Sequence, residues 1–348
     1  MSDLSIPAPV QIDAQGVATL TIQGAKALNI IGTPAIVATT QVLAQLREAP
    51  GLRVAPSLGP QSGPTRAWLS AAHAPRVRAR YWRILAARRP PMSDLSIPAP
   101  VQIDAQGIAT LTIQGAKALN IIGTPAIVAT TQVLAQLREA PGLRVLVLRG
   151  PSDGSFVGGA DIHEMARLTP ETAEAFIIRL QGLCEAVRSF PVPVIARLAG
   201  WCLGGGLELA AACDLRIASR DAHFGMPEVK VGIPSVIHAA LLPRLLGRSV
   251  ATWMLLTGEP FDAATALGFG LLHRVCEPAE LDAAVAAVAG QLAGLGAQVL
   301  RQQKALLRSW EDQTVEVSIT ASVAAFRQAF GTGEPQRYMQ AFLDRQRG

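Results

Sequence analysis

Residues Met1–Val54 recur almost letter for letter as Met92–Val145, the one difference being Val17 against Ile108. This duplication decides how much of the chain can form one fold. Solenoid architectures stack three or more divergent units, each burying a face against the next, and two near-identical copies do not meet that requirement. They read as a recent partial duplication. The first copy stops at Val54, ahead of every segment argued below to carry chemistry, so residues 1–54 cannot build a second site and are expected to be non-functional.

Between the copies, Ala55–Pro91 holds seven arginines, six prolines and two tryptophans, and no Asp, Glu or Lys. It reads as a disordered linker, with the composition of GC-rich sequence translated outside its coding frame. Its arginines are too scattered among Pro and Ala to favour a nucleic-acid or anionic-membrane patch. The first copy is neutral, with Asp3, Asp13 and Glu48 against Lys26, Arg47 and Arg53, so the chain's +5 less the linker's +7 leaves −2 for Met92–Gly348. The basicity belongs to the linker and points to no polyanionic partner for the rest.

Met92–Gly348 is long enough for one large domain or a domain with a helical appendage. Its cysteines (Cys184, Cys202, Cys213, Cys276) form no C-x-x-C pair and have no His at metal spacing, which predicts buried thiols in a reducing compartment. Neither methionine opens a basic-then-apolar leader, and the most apolar run, Val194–Cys213, carries Arg197, Glu208 and four glycines. With a C-terminus that is no peroxisomal address, the chain is expected to be soluble and cytoplasmic, with no membrane or nucleic-acid partner.

Periodicity predicts a hairpin from Val101–Asp104 and Ala109–Ile113, a helix opened by Thr124 as cap with Pro125 after it and running to about Ala140, and a buried strand over Arg144–Arg149. A second helix follows over Pro170–Arg188, with Phe176, Ile177, Leu180, Leu183 and Val187 at helical spacing. Pro193–Leu198 and Asp214–Ala218 read as strands, and from Pro234 the chain is mostly helical, over Pro278–Leu292, Val299–Trp310 and Val315–Phe330. Strands interleaved with helices, then a run of helices, argue for an α/β core with a helical C-terminal part.

The chemistry concentrates on two carboxylates. Glu208 follows the three-glycine turn Gly204–Gly206, and Glu228 closes Phe224-Gly-Met-Pro-Glu228, where proline starts a helical turn. Two such groups in buried turns divide acid and base work between them. The turn's glycines admit φ > 0 and close backbone approach, and the helix N-terminus they open presents unpaired amides, so Gly205 N–H is a candidate oxyanion donor; tight packing explains the same glycines equally well. Phe156–Met165 also passes from a glycine loop into a helix. It offers Ala160 N–H as a second donor, or merely Asp161 as an N-cap. Taken singly, Glu208 and Glu228 read as ordinary first-turn acids.

Taken together, Lys117-Ala-Leu-Asn120, Phe156–Met165, Gly204–Asp214 and Phe224–Glu228 in this order resemble the enoyl-CoA hydratase/isomerase, or crotonase, family. The resemblance spans essentially all of Met92–Gly348. It implies an α/β fold, a crotonase-like spiral of ββα turns, with the active-site core over 92–285 and an α-helical trimerisation region over 286–348. A homotrimer or homohexamer is expected. It further implies Glu208 and Glu228 as the catalytic pair and Ala160 and Gly205 as the oxyanion-hole amides. Lys117, Ala118, Leu119, Asp161 and Ile162 become contacts to CoA, and Phe342 and Arg345 contacts to the CoA of a neighbouring subunit. An acyl-CoA thioester is the implied substrate and no cofactor is implied, since CoA is part of the substrate.

The implied reaction is reversible addition of water to the 2,3 double bond of an enoyl-CoA. Double-bond isomerisation, or CoA-ester binding without turnover, are the alternatives. Two departures stand out. Gly232-Ile-Pro-Ser-Val-Ile-His238-Ala-Ala240 replaces a loop like Pro-Gly-x-Gly-Gly, which reshapes the acyl pocket wall, and His163 replaces a more usual lysine. His163 reads as an exposed helix residue, and His238 as a pocket candidate without an assigned role.

Overall fold

The computed structural model describes residues 101–346, together with the strands β1 (Val10–Ile12) and β2 (Ala18–Leu20). The chain divides into two units, Met1–Pro90 and Pro91–Gly348. In the first, β1 and β2 pair antiparallel with Val10 opposite Leu20. Their counterparts in the second copy, β3 (Val101–Ile103) and β4 (Ile108–Thr112), pair in the same register, Val101 opposite Leu111. The rest of the first copy and the expected disordered linker lie outside the described residues.

The second unit is built by one repeated move. β5 (Val145–Arg149), β7 (Val194–Leu198) and β9 (Leu215–Ser219) enter a six-stranded sheet, and each is followed by a short strand in a four-stranded sheet: β6 (Ser155–Val157), β8 (Trp201–Leu203) and β10 (His223–Gly225). A helical segment then returns the chain: α2 (Ile162–Met165) and α3 (Pro170–Arg188), then α4 (Gly205–Ala212), then the 3₁₀ turn Pro227–Val231. Because each ββα step advances one position in both sheets, the chain winds as a spiral. The large sheet runs β12 (Arg274–Cys276), β9, β7, β5, β4, β3, and the small one β11 (Phe261–Asp262), β10, β8, β6. The short strands escape sequence reading because two or three residues show no alternation.

The long elements fall close to their predicted bounds. α3 spans Pro170–Arg188, opened by a capping box between Thr169 and Thr172, and buries Phe176, Leu180, Leu183 and Val187. α1 is Thr124–Arg138, shorter at its end than expected, and its N-cap is Gly123 rather than Thr124. Thr124 instead gives its amide to Glu164 Oε2 at 2.8 Å and its hydroxyl to Glu164 Oε1, so a carboxylate from α2 satisfies the open end of α1.

The large sheet is covered on both faces. Leu146, Leu148, Ala196 and Leu198 point into the main core shared with α3 and α4. On the other face, Val145, Val147, Ile195 and Ile217 pack against α8 (Leu281–Ala293). The expected boundary at 285/286 therefore falls inside a core helix. Beyond it come α9 (Ala297–Glu311), α10 (Val315–Phe330) and α11 (Glu334–Arg345). α9 is tied to the core by Lys304 Nζ, which donates to Val192 O at 3.0 Å and to Asp214 Oδ2 at 2.6 Å. All four cysteines are free and buried, and among the described residues no single helix is long and apolar enough to cross a membrane.

Candidate active site

The turn into α4 leaves β8 through Gly204, whose φ of 53° and ψ of −125° suit glycine alone. A side chain there would also collide, because a Cβ on Gly204 would lie 2.6 Å from Glu228 Oε1. That single distance places the second glutamate directly over the glycine turn. Two positions on, a Cβ on Gly206 would lie 2.2 Å from Val157 O, so the backbones of β6 and α4 are in contact.

Glu208 lies in the first turn of α4 and is 3% exposed. Its Oε1 accepts from the Ala239 amide at 3.0 Å, a donor shared with Val236 O. Burial pushes its carboxyl up to about 8, the Ala239 hydrogen bond opposes the rise, and the charge of Glu228 adds to it. Glu228 stands half-buried in the 3₁₀ turn Pro227–Val231, with Oε2 accepting from Ser235 Oγ at 2.9 Å. Burial raises its carboxyl too, against its own backbone amide and Ser235. Burial thus favours the protonated form of both carboxyl groups, and the charge of Glu228 adds to the rise at Glu208, the kind of environment in which a carboxyl group can give or receive a proton.

The Ala160 loop lies beside this turn. β6 pairs with β8, Val157 opposite Cys202, and a Cβ on Gly159 would lie 3.6 Å from Leu203 O. Ile122 fixes the loop on both sides: its amide donates to Gly159 O at 3.0 Å and its carbonyl accepts from Asp161 N at 3.1 Å. Among the described residues neither the Ala160 nor the Gly205 amide has a hydrogen-bond partner. Two free amides on adjoining segments, next to two carboxyl groups, form a site that can hold a carbonyl oxygen and move protons at the atoms beside it.

The remaining expected residues divide. Lys117, Ala118 and Leu119 form an exposed turn, Lys117 at φ 63° and Asn120 at φ 52°. The turn is fastened to the Ala160 loop, since Leu119 O accepts from Gly158 N at 2.8 Å and from Ser155 Oγ at 2.7 Å. Buried Asn120 completes the clamp by donating to Ile113 O and Phe156 O. Ile162 is exposed, whereas the Asp161 carboxylate is occupied as the N-cap of α2, accepting from His163 N and Glu164 N. Phe342 and Arg345 stand exposed on α11, a helix held at its start by Glu334 accepting the Gln298 and Val299 amides. Among the described residues of one chain, no hydrogen bond or ion pair joins them to the glutamates. His163 is exposed, as expected.

A groove of about 630 Å³ on the other face of the large sheet, lined by Arg149, Arg197, Asp282 and Ala289 among others, plays no part in this constellation. Its buried guanidinium, Arg197, is already paired with Asp153 at 2.7 Å and Asp282 at 2.5 Å. The partners that sequence reading missed are the Ala239 amide and Ser235. Both lie in the loop that departs from the usual pattern, and no local pattern marks a backbone amide as a carboxylate's partner.

Residues 104–348 match the family model described as enoyl-CoA hydratase/isomerase. The chain belongs to the enoyl-CoA hydratase/isomerase family. It is 33% identical over 241 residues to a crotonyl-CoA hydratase of Syntrophomonas wolfei, covering 69% of this chain and 93% of that protein. A short-chain-enoyl-CoA hydratase of Clostridium acetobutylicum is 30% identical, with 69% and 92% covered. Among solved structures, an enoyl-CoA hydratase of Mycobacterium smegmatis superposes with a TM-score of 0.68 at 29% identity, over 71% of this chain and 96% of that one. DspI of Pseudomonas aeruginosa gives 0.69 at 28%, over 74% and 98%. The spiral of ββα turns is thus the family's crotonase fold, and the family acts on enoyl-CoA thioesters.

Proposed function

We propose that this enzyme adds water reversibly across the 2,3 double bond of an enoyl-CoA thioester. The observation that carries the reading is the glutamate pair at the glycine turn, Glu228 Oε1 against Gly204 and Glu208 buried in the helix that the turn opens. The thioester oxygen lies between the Ala160 and Gly205 amides, and as it becomes an enolate each donor contributes roughly 3 kcal/mol. The two carboxyl groups orient a water whose oxygen adds to Cβ; the water's proton passes to the Glu228 carboxylate, and Glu228 then delivers a proton to Cα, so that the elements of water are added and the pair is restored. The thioester itself acidifies Cα, so the reaction as proposed calls on no metal or redox cofactor. Both glutamates favour hydration over isomerisation, for which Glu228 alone would suffice.

The CoA moiety runs along Lys117, Ala118, Leu119, Asp161 and Ile162, consistent with the fastening of the 117–119 turn to the oxyanion loop. Phe342 and Arg345 meet the CoA of a neighbouring subunit in a homotrimer or homohexamer. Apolar side chains along α10, Val323 at 72% and Phe326 at 69% exposure, support such an assembly. The test is incubation of the purified protein with crotonyl-CoA, following loss of the enoyl thioester and appearance of the 3-hydroxyacyl product. Protein that binds the thioester yet consumes none of it would overturn the reading. Double-bond migration in place of hydration would replace it by isomerisation.

A further inference from the structure

We propose that His238 is a positioning residue for Glu208, acting through the backbone of the 3₁₀ turn Ile237–Leu241 and anchored on Glu185. Its kinetic consequence rests on the hydration reading above, whereas its structural consequence does not.

The turn supplies the amide that Glu208 uses. Ala239 N–H points at Glu208 Oε1 and at Val236 O, each 3.0 Å away, so its direction depends on how the turn is held. Ile237, Ala239 and Leu241 pack the turn on the main core, but its backbone is not relaxed. Ile237 has φ 43°, a left-handed conformation that a β-branched residue adopts only when its surroundings impose it. Val236 and Ala240 are exposed, so the apolar packing holds one side of the turn and His238 supplies its buried polar contact.

His238 is the buried polar side chain of this turn, 7% exposed. Its Nε2 lies 3.6 Å from Glu185 Oε2 on α3. Glu185 is in turn braced by two guanidinium groups, Arg188 Nη1 at 3.5 Å from Oε2 and Arg308 Nη2 at 3.4 Å from Oε1. At 3.6 Å, longer than a hydrogen bond, the imidazole faces a carboxylate fixed between α3 and α9 and sets the strained turn against it. Its Nδ1 is buried without a hydrogen-bond partner, a cost that an apolar side chain of similar size would avoid. What this site gains from a histidine is the Nε2 anchor, and what the anchor orients is the Ala239 amide.

The test compares the wild-type protein with His238→Ala, His238→Gln and Glu185→Ala. Amide hydrogen exchange at Ala239, thermal melting, and kcat and KM with crotonyl-CoA are measured on each. In His238→Ala, exchange at Ala239 is expected to speed up and kcat to fall by about tenfold, with KM changed less than about twofold, the effect of misdirecting one buried hydrogen bond. His238→Gln, whose side-chain amide nitrogen reaches the place of Nε2, is expected to retain most of the activity and protection. Glu185→Ala is expected to behave like His238→Ala. Unchanged Ala239 exchange in folded His238→Ala, or an equal loss in His238→Gln, overturns the proposal. If His238→Ala does not fold, unchanged exchange and kcat in Glu185→Ala overturn it. Should the wild type consume no enoyl-CoA while exchange responds as expected, the hydration reading falls and the positioning role stands.

Discussion

Ala239 donates its amide to Glu208 Oε1 at 3.0 Å across 31 residues of chain. One carboxyl of the proposed catalytic pair is therefore aimed by a backbone group from the next turn of the spiral, and the other by Ser235, four residues before Ala239. A single loop orients both glutamates, so its unusual sequence bears on the proton chemistry as well as on the shape of the pocket.

Glu208→Gln and Glu228→Gln keep the size of each side chain and remove its proton transfer. Each is expected to lower kcat by about 10²–10⁴-fold with little change in KM, because the loss falls on the transition state. Steady-state kinetics with crotonyl-CoA measure this. A variant retaining wild-type kcat would remove that glutamate from the mechanism.

Burying Glu208 makes stability depend on pH. The folded protein holds its proton up to about 8, while an unfolded chain releases it near the ordinary glutamate value, so ionisation costs folding free energy. That cost is absent below pH about 4, grows as pH rises toward about 8, and is complete above, on the order of a few kcal/mol. Glu208→Gln is expected to melt higher than wild type at pH 8, with the gap shrinking at pH 5. Thermal melting across that range checks the sign.

Gly206→Ala would drive a Cβ to within 2.2 Å of Val157 O, a backbone atom. β6 and α4 must separate, which is expected to lower stability by about 2–3 kcal/mol and to spread the Ala160 and Gly205 amides apart. Gly204→Ala meets the flexible Glu228 carboxylate instead, at a left-handed φ, and is expected to cost about 1–3 kcal/mol of stability. Denaturant titrations combined with kcat measurements separate the two.

A chain starting at Met92 retains every residue of the candidate site, and the repeated segment ends before any counterpart of Ala160. Its kcat and KM are expected to match those of the full chain. Loss of folding or activity on removing residues 1–91 would show that the first copy contributes.

Much of this was legible in residues alone, for reasons that are local. A repeat is a property of the string, a 19-residue helix such as α3 has room for its period and its cap to show, and the order of the glycine turn, the Ala160 loop and the two glutamates carried the family resemblance. The two- and three-residue strands of the small sheet left no such trace, and α11, with proline at its start, was read only as part of a helical run. Thr124 was expected to cap α1 and instead binds Glu164, because an open helix end takes whichever acceptor the fold brings to it. Asp161 is an N-cap whatever else its backbone does.

By itself, then, the sequence determined the long elements, the break between copies and the residue types of the site, since these depend on neighbours within a few positions. Only the tertiary structure decided that Glu228 lies over Gly204, that Ala239 and Ser235 aim the pair, and that His238 reaches Glu185. Apart from Ser235 on Glu228, those contacts join residues far apart in the chain, and two of them use backbone atoms, which carry no side-chain signal. The rise of the Glu208 carboxyl has the same origin: burial is set by everything packed around a group, and no stretch of sequence contains it.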